Sequence, residues 1–478
     1  MSHLVYSEYQ KAIFKDVREG LGHTIVEARA GSGKTSTLLE ALKYISPDKK
    51  ILVVAFNKKI AVELQERAPS YANLEICTLH SFGYRLIRQS LGKVKLDTEK
   101  AFKIIKKLLE PLKASPKDKD DYETIFEMKK CVSLCKGLII DTPAKIDELM
   151  DEFDISQGSL SREDFIQTVI IALGECKKKK DTIDYDDMIY FPFVLNLPVE
   201  KYDRVLIDEV QDLNPAQIYL GLTACKKDGR IISFGDNFQV LYKFRGADLD
   251  AISNLQERLK AKILYLPISY RCGKNIVFRA QKMVPDIKYA PNAKDGKIIQ
   301  ITESKLPDMI QPGDFVVSRT NAPLISICFS LWRKKIPAIL KGKDLGPILN
   351  GVIKQSKKKT IKSFLVWLDA WGTQEAARLK AKNRSTRTLA DKIECLNVLA
   401  EGLQTVDELT DTIKSLFENK TTDNIVSLYT IHGAKGLEAK RVFFLAYTLT
   451  FGQNKEELNA EYVAVTRAKD ELYLVSKC

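Results

Sequence analysis

The chain has 478 residues, with 75 lysines and arginines against 62 aspartates and glutamates, a formal net charge of +13. A composition of 45% hydrophobic and 29% charged residues is neither that of a disordered chain nor membrane-like, and no apolar run approaches the roughly 18 residues that span a bilayer. At roughly 100–200 residues per domain the length suggests three or four domains, and MSHLVYSEYQ lacks the basic-then-apolar pattern of a secretory signal, so a soluble intracellular protein with no membrane partner is expected.

In chain order, short β-branched runs alternate with helical patterns, the signature of α/β architecture. Strands are expected at 24–28, 51–56, 74–78, 204–207, 230–234 and 262–266, followed in turn by ARAGSGKT, AFNKK, TLHSF, DEVQD, GDNFQ and ISYR. Ligands of open parallel sheets bind at the carboxyl ends of strands, so these six polar clusters describe one site edge. Residues 85–182 read as helical, and over 98–112 a single stripe collects Phe102, Ile105, Leu108, Leu109 and Leu112. A second strand set, at 297–301, 315–318, 338–340, 424–429, 441–445 and 472–475, has no phosphate loop of its own. Residues 346–424 are again helical, and Thr405-Val406-Asp407-Glu408 has the form of a capping box. The expected organisation is a first core of 1–84 and 183–270 with 85–182 inserted, and a second core of 271–345 and 425–478 with 346–424 inserted.

Other features read as structural. Nine cysteines occur without a CxxC pair, and Cys131 and Cys135 share one helical face, so buried thiols are expected rather than a metal or redox centre. Four histidines make a His-rich metal site a poor reading. The lysine runs 177–180 and 357–359 read as solvated surface, Asp184, Asp186 and Asp187 as structural, and Trp332, Trp367 and Trp371 as core. The positive excess points to a polyanion without naming it.

Two clusters carry chemistry. ARAGSGKT follows a strand and opens a helix, the context a phosphate loop requires. Backbone N–H groups of Ala30, Gly31, Ser32, Gly33, Lys34, Thr35 and Ser36 would cradle phosphate. Lys34 would reach the β/γ-phosphates, and the Thr35 hydroxyl would hold Mg²⁺. Asp208 and Glu209 follow an apolar strand, where one carboxylate can bind Mg²⁺ and its neighbour can orient water; phosphoryl transfer needs such positioning and charge neutralisation.

TIHGAKGLEAKRVFF (430–444), EYVAVTRAKDELYL (461–474) and GDNFQVLYKFRGA (235–247) resemble the late motifs of superfamily 1 DNA helicases of the UvrD/Rep/PcrA type. FRGA is similar to the F-box DNA helicase branch, where the repair enzymes usually have Trp. The resemblance covers roughly 300 residues in the family's motif order. It implies an α/β fold of two RecA-like parallel-sheet domains (a P-loop NTPase), each with a mainly helical insertion, and a DNA-dependent ATPase that moves 3′-to-5′ on single strands. It further implies ATP and Mg²⁺ as cofactors, Gln10 as adenine reader, Asp208 as metal ligand and Glu209 as general base. Gln239 would sense the γ-phosphate, Tyr270 would stack on adenine, and Arg271 and Arg467 would be arginine fingers, with Glu438 near the ribose. Ser269 stands where the family usually has asparagine. Phe56, Tyr242 and Phe244 match base-stacking positions, and His80, Arg245 and Asn321 match contacts to the nucleic-acid backbone.

The expected partners are single-stranded DNA and duplex junctions. RNA stays open, since stacking discriminates sugars poorly, and protein partners are not specified. Two alternatives also stand: a translocase with little intrinsic unwinding, because the second helical segment looks short, and a nucleic-acid-binding scaffold with a dead ATPase. The chain ends eleven residues after Arg467, so no fused nuclease is expected.

Overall fold

A computed structural model describes residues 5–112, 122–241, 251–341, 345–381, 386–417, 425–449 and 455–477. The chain divides into two compact units, Met1–Ala28 with Gly33–Leu266, and Arg29–Ser32 with Pro267–Cys478.

The first unit carries β1 (Thr24–Ala28), β2 (Ile51–Ala55), β3 (Leu74–Thr78), β4 (Lys95–Leu96), β5 (Thr182–Ile183), β6 (Tyr202–Ile207), β7 (Cys225–Gly235) and β8 (Lys262–Leu266). Six of these form one sheet in the order β3-β2-β6-β7-β1-β8, with every neighbouring pair parallel; β4 and β5 pair separately. Strand β2, ILVVA, is buried throughout, the continuous apolar run of a strand covered on both faces. Alternate residues point oppositely: Ile51, Val53 and Ala55 join a cluster with Ile13, Leu38 and Phe234, while Leu52 and Val54 join Phe82, Leu220 and Ile231. Because all six strands run one way, their carboxyl ends and the polar motifs after them share one edge.

The helices Lys100–Leu109, Tyr122–Leu138, Pro143–Glu152 and Arg162–Lys178 build their own apolar cluster around Ile105, Met128, Val132, Phe165 and Val169. The stripe over 98–112 is not one helix. The α-helix stops at Leu109 and a 3₁₀ turn follows over Glu110–Leu112, since Pro111 has no N–H for the ladder; the side chain of Leu112 lies outside the described set. Ile105 and Leu109 are buried, with Phe102 and Leu108 packed against them.

A buried ionic quartet ties these helices to the core. Lys100 Nζ lies 2.6 Å from Asp187 Oδ2, and Lys136 Nζ lies 2.8 Å from Asp187 Oδ1 and 2.9 Å from Asp184 Oδ2. Asp184 and Asp187 also form the capping box of the helix Tyr185–Val194. Burial opposes the charge on Lys136, but Asp187 and Asp184 outweigh it and hold the ammonium above the usual lysine range. The acidic stretch is thus structural, as its sequence suggested, although its lysine partners were not.

The second unit holds a short parallel pair, β9 (Ile268–Ser269) and β10 (Lys288–Tyr289). Its main sheet uses β11 (Lys297–Thr302), β12 (Phe315–Ser318), β13 (Ala338–Lys341), β14 (Val426–Thr430), β15 (Ala439–Leu445) and β16 (Ala468–Ser476). The order is β11-β16-β15-β12-β14-β13, again parallel throughout. Here the helices Leu345–Ser356, Ile361–Ala381, Arg387–Ala400 and Val406–Phe417 share one core with the sheet, in which Phe364, Leu396 and Leu409 join Ile325, Leu428 and Phe443. The expected capping box forms: Glu408 N–H donates to Thr405 Oγ1 at 3.3 Å, and Thr405 N–H to Glu408 Oε2 at 3.0 Å. Trp332, Trp367 and Trp371 flank this core rather than fill it, the last two stacked at 5.6 Å. Cys131 and Cys135 are buried free thiols, and among the described residues no helix is long and apolar enough to cross a membrane.

Removing one partner from a buried ion pair strands the other. Asp187→Ala should therefore cost about 3–5 kcal/mol, read as a lower midpoint in urea unfolding followed by far-UV circular dichroism. An unchanged midpoint would show that the quartet does not hold the helices.

Candidate functional site

Strand β1 delivers the chain into a loop that only glycine can follow at two points. Gly31 has φ +72° and Gly33 φ +76°, a region costly for residues with a Cβ. At Gly31 space is also short: within the second unit, a Cβ would meet Arg271 Cβ at 2.5 Å. Gly33 is the N-cap of the helix Lys34–Leu42, and no side chain caps it. Its first-turn N–H groups lack partners inside the helix, which makes that end an anion site. Ser32 is buried with its Oγ unpartnered, and Ala30 N–H donates to Tyr462 Oη at 2.8 Å. Thr35 is half-buried, and the exposed Ser36 accepts from Arg67 Nη2 at 3.3 Å.

At the end of β6, Lys34 Nζ lies 2.6 Å from Glu209 Oε2. Burial works against the ammonium, but Glu209 and then Asp208 outweigh it and hold its pKa above the usual lysine range. Asp208 is buried; Oδ1 accepts from Glu209 N–H at 3.0 Å, while Oδ2 has no partner. Burial, then Glu209, push its carboxyl up to about 7. Glu209 itself sits at φ +51°, an uncommon backbone for a residue with a side chain that turns its carboxylate toward Lys34. From there a polar chain continues: Gln211 Nε2 donates to Glu209 Oε2 at 2.5 Å, Asp236 N–H to Gln211 Oε1 at 3.1 Å, and Gln239 Nε2 to Asp236 Oδ2 at 2.6 Å. The first unit thus joins Lys34, Glu209 and Gln239 in one network, with Asp208 beside it. Gln10 is tied to the helix that follows the loop. Its Nε2 donates to Thr37 Oγ1 at 3.1 Å, and its Oε1 accepts from Ser7 N–H at 3.0 Å.

In the second unit, Arg271 Nε donates to Glu438 Oε2 at 2.6 Å and Nη1 to Thr466 O at 3.1 Å. Lys469 Nζ stands 2.5 Å from Glu438 Oε1. Burial opposes ionisation of Glu438, but Lys469 and Arg271 prevail and keep it below the usual carboxylate range. Arg467 is buried, and its guanidinium bonds Val463 O at 2.8 Å, Leu437 O at 3.1 Å and Thr466 Oγ1 at 3.1 Å. Burial, then Arg271, push its pKa down from the arginine range. Tyr270 is exposed, at 48%, and its N–H donates to Gly31 O at 2.8 Å. An exposed ring next to Arg271 in the chain suits a flat, anionic ligand.

Of the residues expected along a nucleic-acid strand, Phe56 is half-buried against the cluster of Leu52 and Val54. His80 lies in the helix Leu79–Leu91, where burial pushes its pKa down toward the neutral imidazole. Asn321 caps the helix Ala322–Arg333, and its Nδ2 donates to Asp391 at 3.0 Å. Tyr242, Phe244 and Arg245 lie outside the described residues.

Three participants escaped the sequence reading. Gln211 and Asp236 were inside quoted motifs, yet only the fold shows that they join Glu209 to Gln239. Tyr462 lies in EYVAVTRAKD, but its hydroxyl's partner is 432 positions away. Asp208 Oδ2, buried and unpartnered in the same unit as the open terminus of the helix Lys34–Leu42, fits a hydrated cation accompanying a phosphate. Among the described residues no group of three or more His, Cys, Asp or Glu could hold a metal; a cation on Thr35 and Asp208 would draw its other ligands from phosphate and water.

Residues 9–260 match the family model of the UvrD/REP helicase N-terminal domain, and residues 426–475 that of the UvrD-like helicase C-terminal domain. The chain is similar to a probable DNA helicase II homolog of Mycoplasma capricolum, at 25% identity across 94% of this chain and 81% of that protein. It also resembles the ATP-dependent DNA helicase PcrA of Bacillus subtilis, at 27% identity across 55% of this chain and 37% of PcrA.

Gly31→Ala combines a disfavoured φ with a contact that backbone must relieve. Titration calorimetry with Mg-ATP should show binding weakened by at least about tenfold, the equivalent of roughly 1.4 kcal/mol, with an unchanged far-UV spectrum. Wild-type affinity in this variant would remove the loop's close approach as a requirement.

Proposed function

The chain belongs to the UvrD/REP helicase family, and we propose that it couples ATP hydrolysis to 3′-to-5′ movement along single-stranded DNA and to strand separation at duplex junctions. It is a DNA helicase and an ATPase. The observation that best supports the finer reading is the Lys34–Glu209 pair at the mouth of an uncapped, glycine-shaped anion site.

In this reading Lys34 exchanges Glu209 for the β/γ-phosphates of ATP. The exchange frees Glu209 to orient water and accept its proton, so the base is neutralised until substrate arrives. Mg²⁺, held through Thr35 and Asp208, would offset phosphate charge. Gln211 and Asp236 hold Gln239 to the same network, which suits a residue that reports on the γ-phosphate. Gln10 and Tyr270 would bind adenine, and Glu438 would lie near the ribose. Arg271 and Arg467, carried by the second unit, would stabilise charge on the transferring phosphoryl group. Such a finger is worth about 10³–10⁵ in rate.

We further read 1–84 with 183–270 and 271–345 with 425–478 as RecA-like cores, and 85–182 and 346–424 as insertions. Phe56, Tyr242 and Phe244 would stack on bases, each stack worth about 1–3 kcal/mol and tolerant of sequence, while His80, Arg245 and Asn321 would contact the strand's backbone. The scaffold alternative loses ground because Lys34, Glu209, Arg271 and Arg467 are all present.

Single-stranded DNA should stimulate ATP hydrolysis by the pure protein; no stimulation by DNA or RNA would sink the motor reading. Lys34→Ala should abolish hydrolysis, and Glu209→Gln should abolish it while retaining nucleotide binding. Turnover by Glu209→Gln at the wild-type rate would remove it as the base. A partial duplex with a 3′ tail should be unwound in preference to one with a 5′ tail, and the opposite preference would reverse the polarity.

A further inference from the structure

Two residues of the helix Arg387–Ala400, one turn apart and so on one face, grip two other elements of the second unit. Asp391 takes hold of the segment before the helix Ala322–Arg333. Its Oδ1 accepts from Asn321 N–H at 3.0 Å and Ala322 N–H at 2.9 Å, and its Oδ2 from Asn321 Nδ2 at 3.0 Å. Asn321, at the N-cap position, makes no side-chain cap bond of its own. An N-cap asparagine ordinarily spends its side-chain oxygen on its own helix; here it makes no such bond, and a carboxylate from another helix takes the N–H groups of the N-cap and first helical residues. That leaves the Asn321 amide oriented from outside, with its second Nδ2 hydrogen available.

Arg387 takes hold of the other element. Nη1 donates to Glu457 Oε1 at 3.0 Å and Nη2 to Thr448 O at 2.9 Å. Glu457 is buried at 8% exposure, and the same Oε1 accepts from Arg319 Nε at 2.9 Å. Arg319 is two residues before Asn321; its Nη2 donates to Glu456 at 2.8 Å and its N–H to Thr448 Oγ1 at 3.0 Å. Glu456 and Glu457 open the helix Lys455–Val465. That helix ends at Val465, and Arg467, two residues beyond, bonds the helix's own Val463 carbonyl through Nε at 2.8 Å.

We propose that Arg387 and Asp391 are positioning residues that couple engagement of single-stranded DNA at Asn321 to the placement of Arg467 for ATP hydrolysis. The proposal rests on the reading above, in which Asn321 touches the DNA backbone and Arg467 serves ATP. The physical route is short and made of charged hydrogen bonds, which are shorter and stronger than neutral ones: Asn321 to Asp391, one helical turn to Arg387, Arg387 to Glu457, then a buried helix to Arg467. A strand that draws on Asn321 pulls on Asp391, and the shared helix passes the displacement to Glu457. Arg319 provides a second, direct tie between the same two ends, so Asn321 and the helix Lys455–Val465 are held from both sides. A helix sharing the sheet's core transmits such a shift instead of absorbing it.

The test compares wild type, Asp391→Asn, Arg387→Met, Arg387→Lys and the Asp391→Asn/Arg387→Met double variant, each with and without saturating oligo-dT. Asp391→Asn and Arg387→Met should keep the DNA-free rate within about twofold and lose about tenfold of the DNA stimulation, inside the usual range of coupling between two sites. Arg387→Lys keeps a charge for Glu457 but not the fork that also reaches Thr448, so its stimulation should fall between. The double variant should be no worse than the worse single one, as for two links in one chain. Full stimulation at saturating DNA with only a raised KM for oligo-dT would overturn the link and leave a purely local contact. A parallel fall of the DNA-free rate would also overturn it, in favour of a folding role. A wild type that DNA fails to stimulate would overturn the proposed function itself, which separates that failure from failure of the link.

Discussion

Lys34 is an ammonium with little water around it, and its need for a counter-charge organises the edge of the first sheet. Glu209 supplies that charge only because its backbone takes a left-handed turn directly after β6. Having done so, it draws Gln211, Asp236 and Gln239 into a single line of hydrogen bonds. Asp208, left behind with one oxygen unpartnered, is disfavoured as an anion while its neighbour is one. Charge at this edge is therefore a shared quantity. In the proposed reading, an arriving phosphate would change the partner of Lys34, and every group along the line would respond.

The second unit solves the opposite problem. Arg467 is a buried cation whose hydrogen-bond partners among the described residues are two carbonyls and a hydroxyl. Carbonyl dipoles can orient a guanidinium, but they neutralise none of its charge. Arg271 differs, since Glu438 already accompanies it and Lys469 competes for the same carboxylate. One arginine is thus short of negative charge and the other is compensated. That asymmetry suits a pair in which a bound polyanion completes the first and displaces the partner of the second.

The strands are legible in the sequence because short runs of β-branched and apolar residues mark parallel strands: β1, β3, β8 and β12 lie where the pattern places them, although the edge strands β3 and β8 are only partly buried. β7 runs longer than its apolar part, beginning at Cys225 through the exposed, charged KKD stretch, which no hydrophobic pattern marks. The phosphate loop and the acidic pair after β6 are legible because their chemistry demands particular residues at fixed spacing. What stays hidden is pairing across distance. Nothing in the pattern around Lys100 or Lys136 distinguishes them from solvent-facing lysines; both are buried only because two aspartates lie 87 and 48 positions downstream. Asp391 likewise looks like any helical acid until the fold brings Asn321 beside it.

Strand order has a consequence for how the chain comes off the ribosome. β1, which carries the phosphate loop, pairs only with β7 and β8, whose residues follow it by about two hundred positions. At a synthesis rate of roughly 5–20 residues per second, a strand made of Thr-Ile-Val-Glu-Ala waits on the order of 10–50 s for either neighbour. β11 waits similarly, since its one sheet partner among the described residues is β16. The first strands of both sheets are thus nascent edges with nothing to pair with, the condition under which chains stick to one another. The helices made in the interval form a core of their own, which gives the growing chain something stable to fold while its sheets remain incomplete.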